Sequence, residues 1–232
     1  MTGPFGDGPV RVVHGTGLST PAQDMELSTA TLRDMGLPGA EARLRVHHPQ
    51  MTAAFSRLDS LAPGFPAAQD AARARGFAPV VRPAGGRLAA YHRQALVLDL
   101  VAPHPESRRH IKERFLTGAE ALVGGLRELG VDARVGAVPG EYCPGEFSVN
   151  AGGATKLVGT AQRITRHGYL FSAVVLVADP EPVREVLRDA YAALEFTWEP
   201  ATVGCVADAV PGATVEAVAA VLVPRMVGLL GA

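Results

Sequence analysis

Three strand-like segments crowd together in the second half of the chain: GEFSVN, TKLVGTAQRIT and YLFSAVVLVA. Only AGGA and RHG separate them. A parallel pair needs a crossover of a dozen residues or more, whereas glycine-bearing links this short suit hairpins. The block therefore predicts antiparallel neighbours and argues against strict βαβ alternation. The rest of the chain agrees. Val10–His14, EARLRVHHP, VDARVG and Ala95–Val101 read as strands, and FAPVVRPAGGRLAAYHRQALVLDLVAP reads as strand, glycine turn, strand.

Helical spacing marks five further segments. After Ser19 or Thr20, with Pro21 in the first turn, Met25, Leu27, Leu32 and Met35 form an apolar stripe that ends at Gly36. Ala67–Arg75 is stopped by Gly76. Between Glu106 and Leu129, the residues Ile111, Phe115, Ala119, Leu122 and Leu126 recur at three or four, and Gly130 follows. Pro182–Leu194 and Val215–Leu230 complete the set, with Ala201–Pro211 irregular between them. No repeat or linker interrupts the pattern, so residues 1–232 are expected to form one α+β domain.

Charge and composition narrow the function classes. A net charge of −1 provides no polybasic field, so neither nucleic acid nor an anionic membrane is an expected partner. No run reaches the roughly 18 apolar residues of a membrane span, and the first residues lack the apolar core of a secretory signal. Two cysteines, Cys143 and Cys205, are no disulfide framework, which points to a cytoplasmic protein with free thiols. No histidine pair has metal-ligand spacing, and no metal site is expected.

Three stretches carry chemistry. In RPAGGRLAAYH, Gly85 and Gly86 let backbone approach a ligand or offer N–H groups to an anion, flanked by Arg82 and Arg87. A plain hairpin turn with solvated arginines is the alternative. His92 ends the same stretch after an apolar run and is a further site candidate. Lys156 lies in an apolar strand beside Gly159, in a chain with only one other lysine, Lys112. Strand alternation pairs Lys156 with Val158 on one face, and Thr155, Leu157 and Gly159 on the other. A solvated lysine could as well have been arginine, so the choice suggests a buried ammonium with a tunable proton. Cys143 lies in the turn EYCPGE, and a thiol beside an ammonium is a candidate nucleophile. Cys205, in PATVGCVADAVPG, is its rival; spacing does not decide which thiol meets Lys156.

Taken together, these residues resemble the biotin/lipoate protein ligase and octanoyltransferase superfamily. RPAGGRLAAYH resembles the loop RR-x-x-GGR/G-x-V-x-H, with Val81 where the first arginine is usual. TKLVGTAQR resembles the strand K-I-x-G-x-A-Q-R, and carries that motif's lysine, glycine and glutamine onto Lys156, Gly159 and Gln162. RRHIKERFLTGAEALVGGLRELGV is similar to the helix between them. The similarity covers roughly residues 10–230. One departure stands out: Ser172-Ala173 occupies the place of a family His-Gly pair.

The resemblance implies a fold with a large mixed, mostly antiparallel sheet and a smaller sheet, flanked by helices, with an acyl tunnel between. It implies an octanoyl or lipoyl group taken from an acyl carrier protein or a lipoylated protein and moved to a lysine of a lipoyl-accepting domain. In the transferase form a cysteine carries the acyl group as a thioester and no cofactor is needed. Cys143 or Cys205 would be that nucleophile, with Lys156 lowering the thiol's pKa and stabilising the oxyanion. Arg82, Gly85, Gly86, Arg87, His92, Gly159 and Gln162 would bind the substrate. In the ligase form, ATP and Mg make an acyl-adenylate in the glycine loop. The additional C-terminal domain that many such ligases carry is not expected in this chain, though some ligases keep it on a separate chain, and GGR resembles the transferases more. A third expectation is a non-catalytic relative that binds an acyl group or a lipoyl domain.

Overall fold

The computed structural model describes residues 3–15 and 19–231. In chain order the elements are β1 (Val10–His14), α1 (Pro21–Asp34), β2 (Ala42–His47), β3 (Thr52–Phe55), α2 (Phe65–Ala74), β4 (Ala78–Val81), β5 (Ala89–Tyr91), β6 (Ala95–Pro103) and α3 (Ile111–Glu128). They continue with β7 (Ala133–Val135), β8 (Val149–Ala151), β9 (Thr155–Ile164), β10 (Gly168–Leu176), α4 (Glu181–Ala193), a short α5 (Val206–Ala209) and α6 (Val215–Val227).

Seven strands form the large sheet in the order β1-β2-β6-β10-β9-β8-β7, and three form the small sheet in the order β4-β3-β5. β1 runs parallel to β2 and every other pairing in the large sheet is antiparallel. The expected mixed, mostly antiparallel sheet plus a smaller one is therefore present. The hairpin at AGGA is also as expected: Gly152 and Gly153 take φ of 59° and 75°, the left-handed region where glycine carries no Cβ penalty. Helices α3 and α6 cover one face of the large sheet with an apolar core that includes Leu98, Leu100, Leu122, Phe171, Val175 and Leu222. Helices α2 and α4 pack on the small sheet around Phe55, Ala72, Leu187 and Tyr191.

Three expectations change. The glycine turn is no hairpin, because β4 and β5 do not pair with each other; β3 lies between them, parallel to β4 and antiparallel to β5. β3 is buried along its whole length, so its sequence TAAF shows no alternation to betray it. The loop from Arg82 to Leu88 consequently crosses the end of the small sheet. Helix α1 starts at Pro21 with Thr20 as its cap, in a reciprocal capping box with Gln23. Its buried face, however, is Pro21, Asp24, Ser28 and Leu32, while Leu27 is 48% exposed. The sheet beneath offers Arg45, which ion-pairs with Asp24, and Asp99, which accepts a 2.6 Å bond from Ser28. Polar partners across the interface override the apolar stripe. Finally, the helix expected from Glu106 begins only at Ile111.

Among the described residues no helix is long and apolar enough to cross a membrane.

Candidate active site

The site is built on the loop between β7 and β8. Gly136 N–H donates to Ser148 O at 2.8 Å and closes the loop's neck. Inside it lies Glu141, only 2% exposed. A buried carboxylate needs donors, and the loop supplies them. Oε2 accepts from Val138 N at 3.1 Å, and Oε1 accepts from Gly145 N at 3.0 Å and Ser148 Oγ at 2.7 Å. The fourth donor is Lys156 Nζ, at 3.2 Å.

Lys156 is as buried as Glu141, at 2%. Its three N–H groups have three acceptors: Glu141 Oε1, Tyr142 O at 3.0 Å and Cys143 O at 2.8 Å. Burial pulls its pKa below the ordinary lysine value; Cys143 and the Glu141 carboxylate oppose that shift. The ammonium thus clamps the backbone of the cysteine loop and has no N–H left for a sulfur. A bulge places it there. Val149 pairs with Val158 and Asn150 with Lys156, so Leu157 is an extra residue on β9. Simple alternation sets Gly159 and Lys156 on opposite faces. The bulge breaks it, and both border one cleft; a Cβ at Gly159 would lie 3.7 Å from Lys156 Cε.

Cys143 follows in a left-handed conformation, φ 42°, unusual for a residue with a side chain. Its N–H donates to Tyr191 Oη at 3.1 Å, and that hydroxyl donates to Leu88 O at 2.6 Å, which ties the cysteine loop to the glycine loop. The sulfur lies within the turn of the glycine loop. Sγ accepts from Arg87 N at 3.2 Å and from Arg82 Nη2 at 3.3 Å. Hydrogen bonds from a guanidinium strengthen when the acceptor is anionic. Arg82 Nη2 also donates to Arg87 O at 2.8 Å, whereas Arg82 Nε is buried with no partner among the described residues.

The cleft lies between the two sheets and has a volume of about 520 Å³. Gly85, Gly86 and β5 form one wall, Gly159 to Gln162 and Val174 the other, and Ile111 and Phe115 of α3 the far side. Cys143 and Lys156 sit at its border with Arg82. The structure therefore brings together Arg82, Gly85, Gly86, Cys143, Lys156, Gly159 and Gln162.

Other expected residues are placed differently. Arg87 contributes its backbone N–H; its side chain turns away, to Asp59 Oδ1 at 3.3 Å and to the face of Phe196. The His92 ring is bonded to backbone outside the cleft, donating from Nε2 to Asp179 O at 2.8 Å and accepting at Nδ1 from Gln94 N. Tyr91, one residue earlier, lines the cleft instead. Gln162 does line it, but both ends of its amide are used, by Arg114 and by Ile111 O, so it orients α3. Cys205 is 1% exposed at the start of α5, outside the cleft, and burial pushes its thiol up to about 11. Gly204 N–H bonds Lys156 O, so Cys205 adjoins the lysine strand only through the backbone.

Glu141 and Tyr191 are the residues that sequence reasoning missed. An acid in a Pro/Gly loop reads as solvated, and a tyrosine on the apolar face of α4 reads as core.

Two glycines should respond differently to alanine. At Gly86, φ 98°, a Cβ would meet Cys143 Sγ at 2.9 Å and Arg82 Nη2 at 2.7 Å. At Gly159 the added methyl would make an ordinary contact. We expect Gly86→Ala to slow alkylation of Cys143 by iodoacetamide about tenfold or more, the effect of over 1.4 kcal/mol of distortion, and Gly159→Ala to leave it within about twofold. Equal rates in the two variants would contradict the geometry.

Comparison with known proteins bears out the resemblance in the motifs. The model of the lipoyl protein ligase A/B catalytic domain family matches residues 64–226. An octanoyl-[GcvH]:protein N-octanoyltransferase of Exiguobacterium sibiricum is 28% identical over 176 residues, 74% of this chain and 62% of that protein. Octanoyltransferase LipM of Kyrpidia tusciae is 33% identical over 139 residues, 51% of this chain and 49% of that one. The chain thus spans roughly half to two thirds of the curated relatives it matches. A crystal structure of lipoate-protein ligase A bound with ATP superposes with a TM-score of 0.71 at 19% identity, over 96% of this chain and 85% of that one, which shows the shared fold. The family match takes in the glycine loop, the cysteine loop and the lysine strand alike, and on that ground the chain belongs to the lipoyl protein ligase A/B catalytic domain family.

Proposed function

We propose that the chain is an octanoyl or lipoyl transferase that carries its acyl group as a thioester on Cys143. The observation that carries this reading is the position of Sγ. It sits at the border of an apolar cleft, between Arg82 Nη2 and Arg87 N, inside the turn of the glycine loop. In an adenylating enzyme the backbone donors of that loop would serve a phosphate; here the Arg87 N–H points at sulfur.

The steps follow from this placement. The Cys143 thiolate attacks the acyl carbonyl carbon of a carrier thioester or amide, a C–S bond forms, and the carbonyl oxygen becomes an oxyanion. The Arg82 guanidinium, whose Nη2 stands 3.3 Å from Sγ, is the cation beside that oxygen, in a half-buried site where a fixed donor is worth more than in water. The tetrahedral carbon then expels the carrier's thiolate or amine, which leaves with the proton Cys143 gave up. A lysine amine of a lipoyl-accepting domain next attacks the thioester, an amide C–N bond forms, and the sulfur departs as thiolate and recovers the proton the amine sheds. One difficult exchange becomes two easier ones. Lys156 and Glu141 act through position, by holding the loop that holds Cys143. No step consumes a nucleotide; ATP and Mg belong to the ligase reading.

Intact-mass measurement after mixing with an octanoyl thioester, without nucleotide, tests this. One octanoyl group on Cys143, discharged by a lipoyl-accepting domain, is expected. An unmodified protein that instead forms octanoyl-adenylate when ATP is added would replace this reading with the ligase.

A further inference from the structure

Charge is unevenly placed in the cleft that holds Cys143. Its two cations both stand at the cysteine: Arg82 Nη2 is 3.3 Å from Sγ, and Lys156 Nζ is 2.8 Å from the Cys143 carbonyl oxygen. Among the described residues that line the cleft, Glu146 carries the only carboxylate. It follows Cys143 by three residues, so the two Cα atoms lie within about 11 Å of one another. Its backbone is pinned. Ser148 N–H donates to Gly145 O at 3.0 Å, and the buried Glu141 accepts from Gly145 N and Ser148 Oγ. Its side chain is free of that clamp and 69% exposed. Across from it lies the first turn of α3, where Phe115 stacks on Phe147 with ring centroids 5.3 Å apart. The same turn supplies Lys112, 84% exposed, with Nζ 3.7 Å from Glu146 Oε2. A pair this long and this exposed contributes little and exchanges readily.

The acceptor lysine meets this arrangement as a cation, because a lysine amine in water has a pKa of about 10.4. The two cations at the cysteine repel it, and only its neutral form can attack a thioester. The placement of charge meets both demands in turn. A carboxylate at the rim attracts the ammonium. Deeper in, the Arg82 guanidinium and the Lys156 ammonium disfavour a third positive charge and lower the pKa of the incoming amine. Lys112 shows the kind of group that Glu146 takes, since its own ammonium stands there in the free chain. The chain has only two lysines, Lys112 and Lys156, and uses arginine elsewhere. An arginine at position 112 could grip the carboxylate with two hydrogen bonds. A lysine offers a single point charge on a flexible stem and gives way to a rival more easily.

We propose that Glu146 recognises the acceptor lysine: its carboxylate receives the incoming ammonium at the rim, in place of Lys112, and so favours cationic amines over neutral nucleophiles. This rests on the thioester at Cys143. One proton leaves the ammonium for bulk water at the exposed rim. The neutral amine then forms the amide C–N bond, the C–S bond breaks, and the second proton goes to the departing sulfur. The test loads the intact chain with octanoyl-N-acetylcysteamine, an octanoyl thioester, and follows discharge by mass with two nucleophiles. One is Nα-acetyl-lysine methylamide, a cation at neutral pH; the other is hydroxylamine, which is uncharged there. Glu146→Gln should slow discharge by the lysine amide about fivefold relative to hydroxylamine, the upper range for one exposed charge pair. Lys112→Ala should move the same ratio the opposite way, because it removes the resident ammonium; if Glu146→Gln fails to fold, this variant decides. Glu146→Gln slowing both nucleophiles alike would mark a structural role and overturn the proposal, and so would an unaltered ratio. No thioester in the unaltered protein overturns the transferase reading and this proposal with it. A thioester that forms and is discharged at the same ratio by every variant overturns this proposal alone.

Discussion

Cys143→Ser is expected to abolish acyl transfer, with a fall in rate of about 10³-fold or more, the scale of losing a covalent nucleophile. A serine hydroxyl would still receive the Arg87 N–H, so the loop should keep its shape; what is lost is the readily ionised sulfur. No octanoyl adduct should appear on the variant. Cys205→Ala should transfer nearly as the unaltered protein does, because that thiol is outside the cleft and pushed up to about 11. The comparison needs only octanoyl transfer to a lipoyl-accepting domain, measured by mass. Activity retained in Cys143→Ser and lost in Cys205→Ala would reverse the assignment.

The second large effect concerns the buried pair. Glu141 and Lys156 are each 2% exposed, and removing one leaves the other uncompensated. Lys156→Met should cost about 3–5 kcal/mol of stability, the usual penalty for breaking a buried ion pair from one side. Glu141→Ala should cost as much, since it also leaves Val138 N, Gly145 N and Ser148 Oγ without their acceptor. Urea unfolding measures both; a loss below about 1 kcal/mol, the level of an exposed pair, would contradict the burial. The pH dependence has a definite sign. The folded protein holds the Lys156 pKa below that of the unfolded chain. Between the two values the unfolded state binds more protons, so this residue's contribution to stability grows as pH rises, up to the ordinary lysine range near about 10.4. It falls as pH drops through the folded value. Lys156→Met should remove that slope.

Both effects depend on how the loop between β7 and β8 reaches the glycine loop, and the two were unequally legible beforehand. The glycine pair, its arginines and the lysine strand are local patterns. Gly152 and Gly153 make a turn whatever surrounds them, and a lysine in an apolar strand is conspicuous alone. That the lysine would face the cysteine's backbone was hidden. It depends on a bulge at Leu157, and a bulge is set by which residues of β8 pair with β9. The role of Glu141 was hidden for a related reason. A loop carboxylate is solvated by default, and only the fold of the loop upon itself turns three N–H and O–H donors inward. His92 misled because an apolar run says that a strand ends nearby, but not where the next ring turns.

The sequence by itself determined the antiparallel block, the α+β class, most of the elements and, through two motifs in order, the family. These rest on short-range constraints: turn length, side-chain period, and the spacing of residues in a loop. Only the tertiary structure decided that β3 separates β4 from β5, that Cys143 rather than Cys205 lies in the cleft, that its sulfur meets Arg82 and the Arg87 amide, and that α1 buries Asp24 and Ser28 over Asp99. Each of these is a contact between segments far apart in the chain. Its free energy depends on what the partner segment offers, and no local pattern encodes that.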